Sequence, residues 1–206
     1  VASAWWAMAP MPCTETSNLD AGGLALLAEL AAQSICQAVR GQSSDHAAPH
    51  PARFDSPGAS FVTLLQAGRL RGCIGTLTAY RALREDVAAN ALAAALRDPR
   101  FAPLTARELK VTDVDVSVLS APSVLEFSDE ADFFRQLRPC VDGLIVEYCG
   151  RRATYLPSVW QQLPDAQQFV RELRRKAGID DALPLTALSM QRYVTQHSAP
   201  RVLTQD

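Results

Sequence analysis

Cys73 is the residue with the clearest chemical potential in this chain of 206 residues. It sits in the run Leu70-Arg-Gly-Cys-Ile-Gly-Thr76. Alternate side chains of a strand share a face, so as a strand this run points Arg71 and Cys73 one way and Leu70, Gly72 and Ile74 the other. A guanidinium beside a thiol favours the thiolate, which is the nucleophilic form. Gly72 and Gly75 leave room for a ligand or another backbone to come close, and Thr76 closes the candidate ligand-binding set of the run. A packing reading stands against this. If Ala67-Gly68 is a two-residue turn, Val62 lies opposite Cys73 and Leu64 opposite Arg71, and an apolar neighbour suits a buried, inert cysteine. Cysteine nucleophiles also usually work with a histidine base, and the only histidines, His46, His50 and His197, fall in loop or tail.

Asp98-Pro-Arg-Phe101 is the second constellation. Arg71 and Arg100 have the fork geometry that recognises carboxylate or phosphate, with Asp98 beside them. The packing alternative is an Arg–Asp pair that pins a loop, with Phe101 as its anchor. In the second half, Tyr155 offers a hydroxyl. Lys176 ends a helix, where it complements the dipole, and Pro157 and Trp160 fill a core corner. Glu85 and Asp86 begin a helix, where carboxylates form a solvated face or an N-terminal charge bias. His46-x-x-x-His50 has a zinc-like spacing but no cysteine pair near it, so no metal site is assigned. Gly72-x-x-Gly75 lacks the flanking lysines of a nucleic-acid clamp. No G-x-G-x-x-G or phosphate-loop motif occurs, and the sequence names no cofactor.

The elements that must position these residues follow from periodicity and punctuation. Asn18 or Asp20 caps a first helix bearing Leu24, Leu27, Ala31, Ile35 and Ala38 at helical spacing, and Gly41 ends it. Phe61–Leu65 and Leu70–Leu77 form a hairpin about Gly68. Arg81–Leu96 is a helix stopped by Asp98-Pro99. Thr105-x-x-Glu108 is a capping box for one short turn. Val114, Val116 and Val118 alternate with polar residues as a one-sided strand. Leu144–Tyr148 and Arg152–Leu156 form a second hairpin about Cys149-Gly150-Arg151. A helix follows between the Asp165-x-x-Gln168 cap and Gly178, then a weaker strand over Leu188–Val194. Both halves read hairpin, helix, strand, and both turns carry Gly-Arg, which points to a structural duplication. Two such halves leave a cleft where they meet, a usual place for small-molecule sites.

Twenty basic residues against twenty-two acidic ones leave no electrostatic footprint for duplex nucleic acid or an anionic membrane. The five cysteines, Cys13, Cys36, Cys73, Cys140 and Cys149, are odd in number and form no C-x-x-C pair, which suits reduced thiols in the cytoplasm. Val1–Pro12 carries Trp5, Trp6 and Met8 without a basic n-region, so it reads as an extension rather than a signal peptide.

Phe61-Val-Thr-Leu, Leu70-Arg-Gly-Cys-Ile-Gly-Thr-Leu77, Asp98-Pro-Arg-Phe101, Val116-Ser-Val-Leu119, Asp142-Gly-Leu144, Leu156-Pro-x-x-Trp160 and Lys176-Ala-Gly178 occur in an order that resembles the AMMECR domain family. In bacteria and archaea this is system protein A of the AmmeMemoRadiSam gene cluster. The likeness runs roughly from Leu24 to Val194 and rests on several separated motifs. It departs at Thr154-Tyr155-Leu156, where the family favours phenylalanine over tyrosine. The resemblance implies an α+β fold of two repeats around antiparallel sheet. It implies partnership with a Memo-like protein and a radical S-adenosylmethionine (radical SAM) protein, and no settled reaction.

The expectation is therefore an α+β chain of two hairpin-helix-strand repeats around mainly antiparallel sheet, with an N-terminal helix. Residues 1–20 are an extension, 21–196 the domain in halves of about 21–120 and 121–196, and 197–206 a tail. The functional expectation is a thiol-dependent or small-anion-binding enzyme working with those partners. Its catalytic residue is Cys73, and its ligand residues are Arg71, Gly72, Gly75, Thr76, Asp98, Arg100 and Tyr155. The alternative is a non-catalytic adaptor.

Overall fold

The computed structural model describes residues 19–42 and 50–203. The Trp-rich start, Asn18, Cys13 and His46 lie outside the described residues. By internal contacts, the described residues up to Leu119 and from Gln196 onward form one compact unit, and Ser120–Thr195 form another.

In the first unit, helix α1 (Ala21–Val39) starts where the Asp20 side chain accepts from the Gly23 N–H at 2.9 Å. Its 19 residues are apolar and long enough to cross a membrane, yet its stripe of Leu24, Leu27, Ala31 and Ile35 is buried in the core of the unit. Strand β1 (Ala59–Gln66) turns through Ala67 and Gly68, both at positive φ, into strand β2 (Arg69–Gly75). Positive φ at both positions gives the primed turn whose twist suits a hairpin. Helix α2 (Leu83–Leu96) follows, then strand β3 (Asp113–Leu119). Strands β8 (Thr195–His197) and β9 (Arg201–Val202) return to β3, giving the order β2-β1-β3-β8 with β9 also on β3. Val62, Leu64, Val114, Val116 and Val118 pack one sheet face against both helices.

The stretch expected as a tail is thus part of the sheet. Leu203 is fully buried and its N–H donates to the Thr112 carbonyl at 2.9 Å. Helix α2 begins at Leu83 rather than Arg81, because the Arg81 carbonyl is taken by the Gly58 N–H at 3.2 Å.

The second unit holds β4 (Ser123–Val124) and α3 (Glu130–Gln136), neither foreseen from the sequence, then the hairpin β5 (Gly143–Tyr148) and β6 (Arg151–Tyr155). Helix α4 (Ala166–Ala177) is capped by Asp165 and ends at Gly178 in the left-handed region; β7 (Ser189–Tyr193) completes the sheet β4-β7-β5-β6. Trp160 stacks on Phe169 at 3.8 Å in its core. Both units therefore contain hairpin, helix and a third strand beside the first: β2-β1-β3 and β6-β5-β7. This is the α+β duplication the sequence predicts.

Candidate functional site

A single extra residue decides which way Cys73 faces. From the turn, Gln66 pairs with Arg69 and Leu65 with Leu70, but Leu64 then pairs with Gly72, leaving Arg71 at a bulge. In an unbroken ladder Arg71 would oppose Leu64, whose side chain is buried in the core. A guanidinium placed there would lose its hydration among hydrocarbon. The bulge puts Gly72 opposite Leu64 instead. It also corrects the expected register: Cys73 lies opposite Thr63, not Val62, and Ile74 takes the place across from Val62. Leu70, opposite Leu65, does not share a face with Gly72 and Ile74 and is 45% exposed. The Cys73 side chain is half-buried, and among the described residues the partner of its sulfur is the Thr63 hydroxyl, 3.4 Å away.

The two glycines have packing partners. A Cβ on Gly72 would sit 2.3 Å from the Ala94 carbonyl oxygen of α2, so this is where helix backbone meets strand. A Cβ on Gly75 would sit 2.2 Å from the Phe61 ring, which lies over the glycine. At Gly72 this is the close backbone approach the sequence anticipates; at Gly75 a side chain takes the space instead.

Strand β2 is the sheet edge, and Asp98 and Arg100 cover it. The Cys73 N–H donates to Asp98 Oδ2 at 2.9 Å, and Arg100 Nη2 donates to the Cys73 carbonyl at 3.0 Å. Carboxylate and guanidinium so occupy the places a neighbouring strand would take, which blocks edge-to-edge pairing. Arg100 holds Asp98 at 2.7 Å. That contact, helped by the Cys73 and Arg100 backbone N–H groups, keeps the Asp98 carboxyl well below the usual carboxylate range against its burial. Arg71 does not turn to the thiol. Its Nε donates to Glu108 Oε1 at 2.9 Å and its Nη2 to Oε2 at 3.3 Å, pulling the Glu108 carboxyl down to about 2. Glu108 also reaches back to the Thr105 N–H at 2.9 Å, as a capping box requires. The Phe101 ring lies 5.9 Å from the Arg71 guanidinium and 5.5 Å from that of Arg100. Each arginine of the constellation thus carries its own carboxylate, and the local charges cancel.

Asp86 is the residue that sequence reasoning misplaced. It does not join a solvated face; it is fully buried. Its carboxylate accepts from the Ser60 N–H and hydroxyl at 2.9 and 2.7 Å, from Thr76 Oγ1 at 2.7 Å, from Asn90 Nδ2 at 2.9 Å and from Arg81 Nε at 2.9 Å. Glu85 stays exposed beside Arg84. A signal was present: Leu83, Asp86, Asn90 and Ala94 recur at three- and four-residue spacing, which places the acid on the buried stripe. Thr76 belongs to this cluster rather than to the Cys73 face.

Tyr155 belongs to the second unit. Its ring packs edge-on to Phe169 at 5.3 Å, with Lys176 Nζ 5.1 Å from its centroid, and burial raises its hydroxyl pKa. Lys176 also donates to the Thr154 carbonyl at 3.1 Å. His197 is a strand residue, with Nδ1 2.9 Å from Ser117 Oγ and 3.6 Å from Asp115 Oδ2. His50 meets Asp55 at 3.1 Å. Among the described residues no three His, Cys, Asp or Glu side chains are grouped to hold a metal ion.

A family model described as AMMECR1 matches residues 28–198. A protein of Methanothermobacter thermautotrophicus is 42% identical over 120 residues, which is 58% of this chain and 62% of that protein. One from Thermofilum pendens is 37% identical over 133 residues, 62% of this chain and 61% of its own length. The chain thus matches less than two thirds of the length of these two relatives. The crystal structure of an uncharacterized protein from Pyrococcus horikoshii superposes with a TM-score of 0.77 at 25% identity, over 89% of this chain and 97% of that one.

Proposed function

The chain belongs to the AMMECR1 family, and from that premise we propose that it is a protein-interaction module: a cytoplasmic adaptor for a Memo-like protein and a radical SAM protein. The observation that carries this reading is the internal charge pairing of the Cys73 constellation. Arg71 is paired with Glu108 and Arg100 with Asp98, so the charge of each guanidinium is already balanced within the chain. The sulfur meets a threonine hydroxyl rather than a base. Cys73, Asp98 and Arg100 then serve to close a sheet edge and keep the module monodisperse. Among the described residues no disulfide joins Cys36, Cys73, Cys140 and Cys149 to one another, which suits a reducing compartment.

A thiol-dependent enzyme acting on a small anionic or peptide-like substrate is the second reading. The observation in its favour is that the sulfur is only half-buried and is held by the Thr63 hydroxyl at 3.4 Å. Alkylation separates the two. As an adaptor, the protein has a Cys73 that reacts with iodoacetamide at neutral pH no faster than glutathione, and Cys73→Ser binds the purified Memo-like and radical SAM proteins as the native chain does. Faster alkylation of Cys73 would move the assignment to the enzyme. Absence of a complex with either partner in isothermal titration would end the adaptor reading.

A further inference from the structure

Helix α1 carries one charged residue in 19, Glu29. A helix that is apolar all round is normally covered all round. One side of α1, with Leu24, Leu27, Ala31 and Ile35, is buried. The other side presents Ala21, Gly22, Ala25 and Leu26 at the surface, with Leu30 half-buried beside them, and Leu26 is 49% exposed. The charge on this side is already met within the chain. The Arg201 guanidinium pairs with Glu29 Oε2, and Gln33 Nε2 donates to Glu29 Oε1 at 3.0 Å. The outer side is therefore apolar and charge-balanced, and a contiguous apolar surface of this kind marks a contact.

The chain that leads into this helix is pinned at its start. Leu19, directly before the Asp20 cap, is buried, and the Gln196 side chain holds both of its backbone groups. The Leu19 N–H donates to Gln196 Oε1, and Gln196 Nε2 donates to the Leu19 carbonyl, each at 3.0 Å. Residues 1–18 lie outside the described residues and join the fold at this point, beside the first turn of the outer side. Val1–Pro12 has no charged side chain and holds Trp5, Trp6, Met8 and Met11, and the polar stretch Thr14–Asn18 ties it to Leu19. Residues 7–18 can extend over about 40 Å, and α1 is about 28 Å long, so the two indoles reach any part of the helix. We infer that Val1–Pro12 folds back along α1 and covers its outer side, with Trp5 and Trp6 over Leu26 and Leu30. A short tether holds the segment near the face at a high effective concentration, an advantage no separate molecule has. Two indoles bring the apolar area that covers such a face, and a charge-free segment suits a face with no charge left to pair. A membrane suits it less, because the Glu29–Arg201 pair would have to enter the lipid. The inference goes beyond the adaptor reading and does not depend on it, since occupant and face belong to one chain.

The test is tryptophan fluorescence of the full chain. Trp160 is buried in the core of the other unit, so the difference between the spectra of the native chain and of Trp5→Phe/Trp6→Phe reports the two N-terminal indoles. That difference spectrum is expected to lie to the blue of N-acetyltryptophanamide and to resist acrylamide, equally in dilute and concentrated protein. Leu26→Glu sets a second carboxylate on the face and is expected to abolish the shielding with the circular dichroism unchanged. Ala25→Glu, at another exposed position, serves the same purpose should Leu26→Glu fail to fold. Quenching of the difference spectrum like that of the free amide would overturn the inference. So would shielding that survives a folded glutamate variant, which would place the indoles elsewhere. Shielding that fades on dilution would give the face to a second copy, and shielding that appears only with phosphatidylcholine vesicles would give it to a membrane; either result overturns the fold-back.

Discussion

The two hairpins begin alike and end differently. Ala67-Gly68 and Cys149-Gly150 turn with the same signs of φ, at 49° and 74° in the first and 48° and 78° in the second. In each, the third strand lies beside the first, and the second strand forms the edge. Gly72 faces Leu64 as Ala153 faces Val146, so Cys73 corresponds to Thr154, whose partner is Ile145. In both, a cation just past or near the end of the following helix caps the edge carbonyl of that residue: Arg100 on Cys73 and Lys176 on Thr154. The differences are the bulge at Arg71, the added carboxylate Asp98, and Asp86 in the first turn of α2, where α4 has no acid. The repeat is a shared backbone plan, and the first copy differs by a carboxylate on its edge strand and a buried acid in the helix that follows. The Cys73 constellation lies in the half whose ladder is broken at Arg71.

The comparison predicts a hierarchy. Asp86→Ala leaves Ser60, Thr76, Asn90 and Arg81 without their common acceptor and should cost about 3–5 kcal/mol in chemical denaturation; a cost under 1 kcal/mol would remove the carboxylate from the base of the hairpin. Gly72→Ala adds a methyl against the Ala94 carbonyl, a backbone atom that cannot swing aside, and should cost about 1–3 kcal/mol or more. The matching change Ala153→Gly should cost only about 1 kcal/mol, from entropy and the lost methyl.

Acid should loosen the two edges differently. Asp98 and Glu108 have carboxyl pKa values lowered by folding, so their stabilisation is complete above the unfolded values near about 4 and is lost as pH falls toward the Glu108 value of about 2. The Cys73 amide should lose protection from hydrogen exchange over that window, while the amides of β6, capped by a lysine without a carboxylate, keep theirs. Arg100→Gln should move the loss at Cys73 to higher pH; an unmoved profile would mean that Arg100 does not set the Asp98 carboxyl. Smallest is Lys176→Met, an exposed cap on a single carbonyl, at roughly 0.5–1.5 kcal/mol, with its effect confined to β6 and α4.

What the sequence by itself determined is the set of elements whose cause is local. Helical spacing in Leu24, Leu27, Ala31 and Ile35 with Asp20 in front yields α1. Gly68 and Gly150 yield the turns, Asp165 and Gly178 the bounds of α4, and the order hairpin, helix, strand the duplication. The Cys73 run was legible as the place where residues of many types converge. Its use was not. One extra residue in β2 reverses which side of the sheet the thiol faces, and alternation of side chains carries no mark of a bulge that packing imposes. Arg71 finds Glu108 thirty-seven positions away, Asp86 finds Ser60 twenty-six positions away, and β8 and β9 return from the end of the chain to β3. Those partners were decided only by tertiary structure, because a charged group in an interior takes whichever complementary group the fold brings within reach, and periodicity reports a face without reporting what lies across from it.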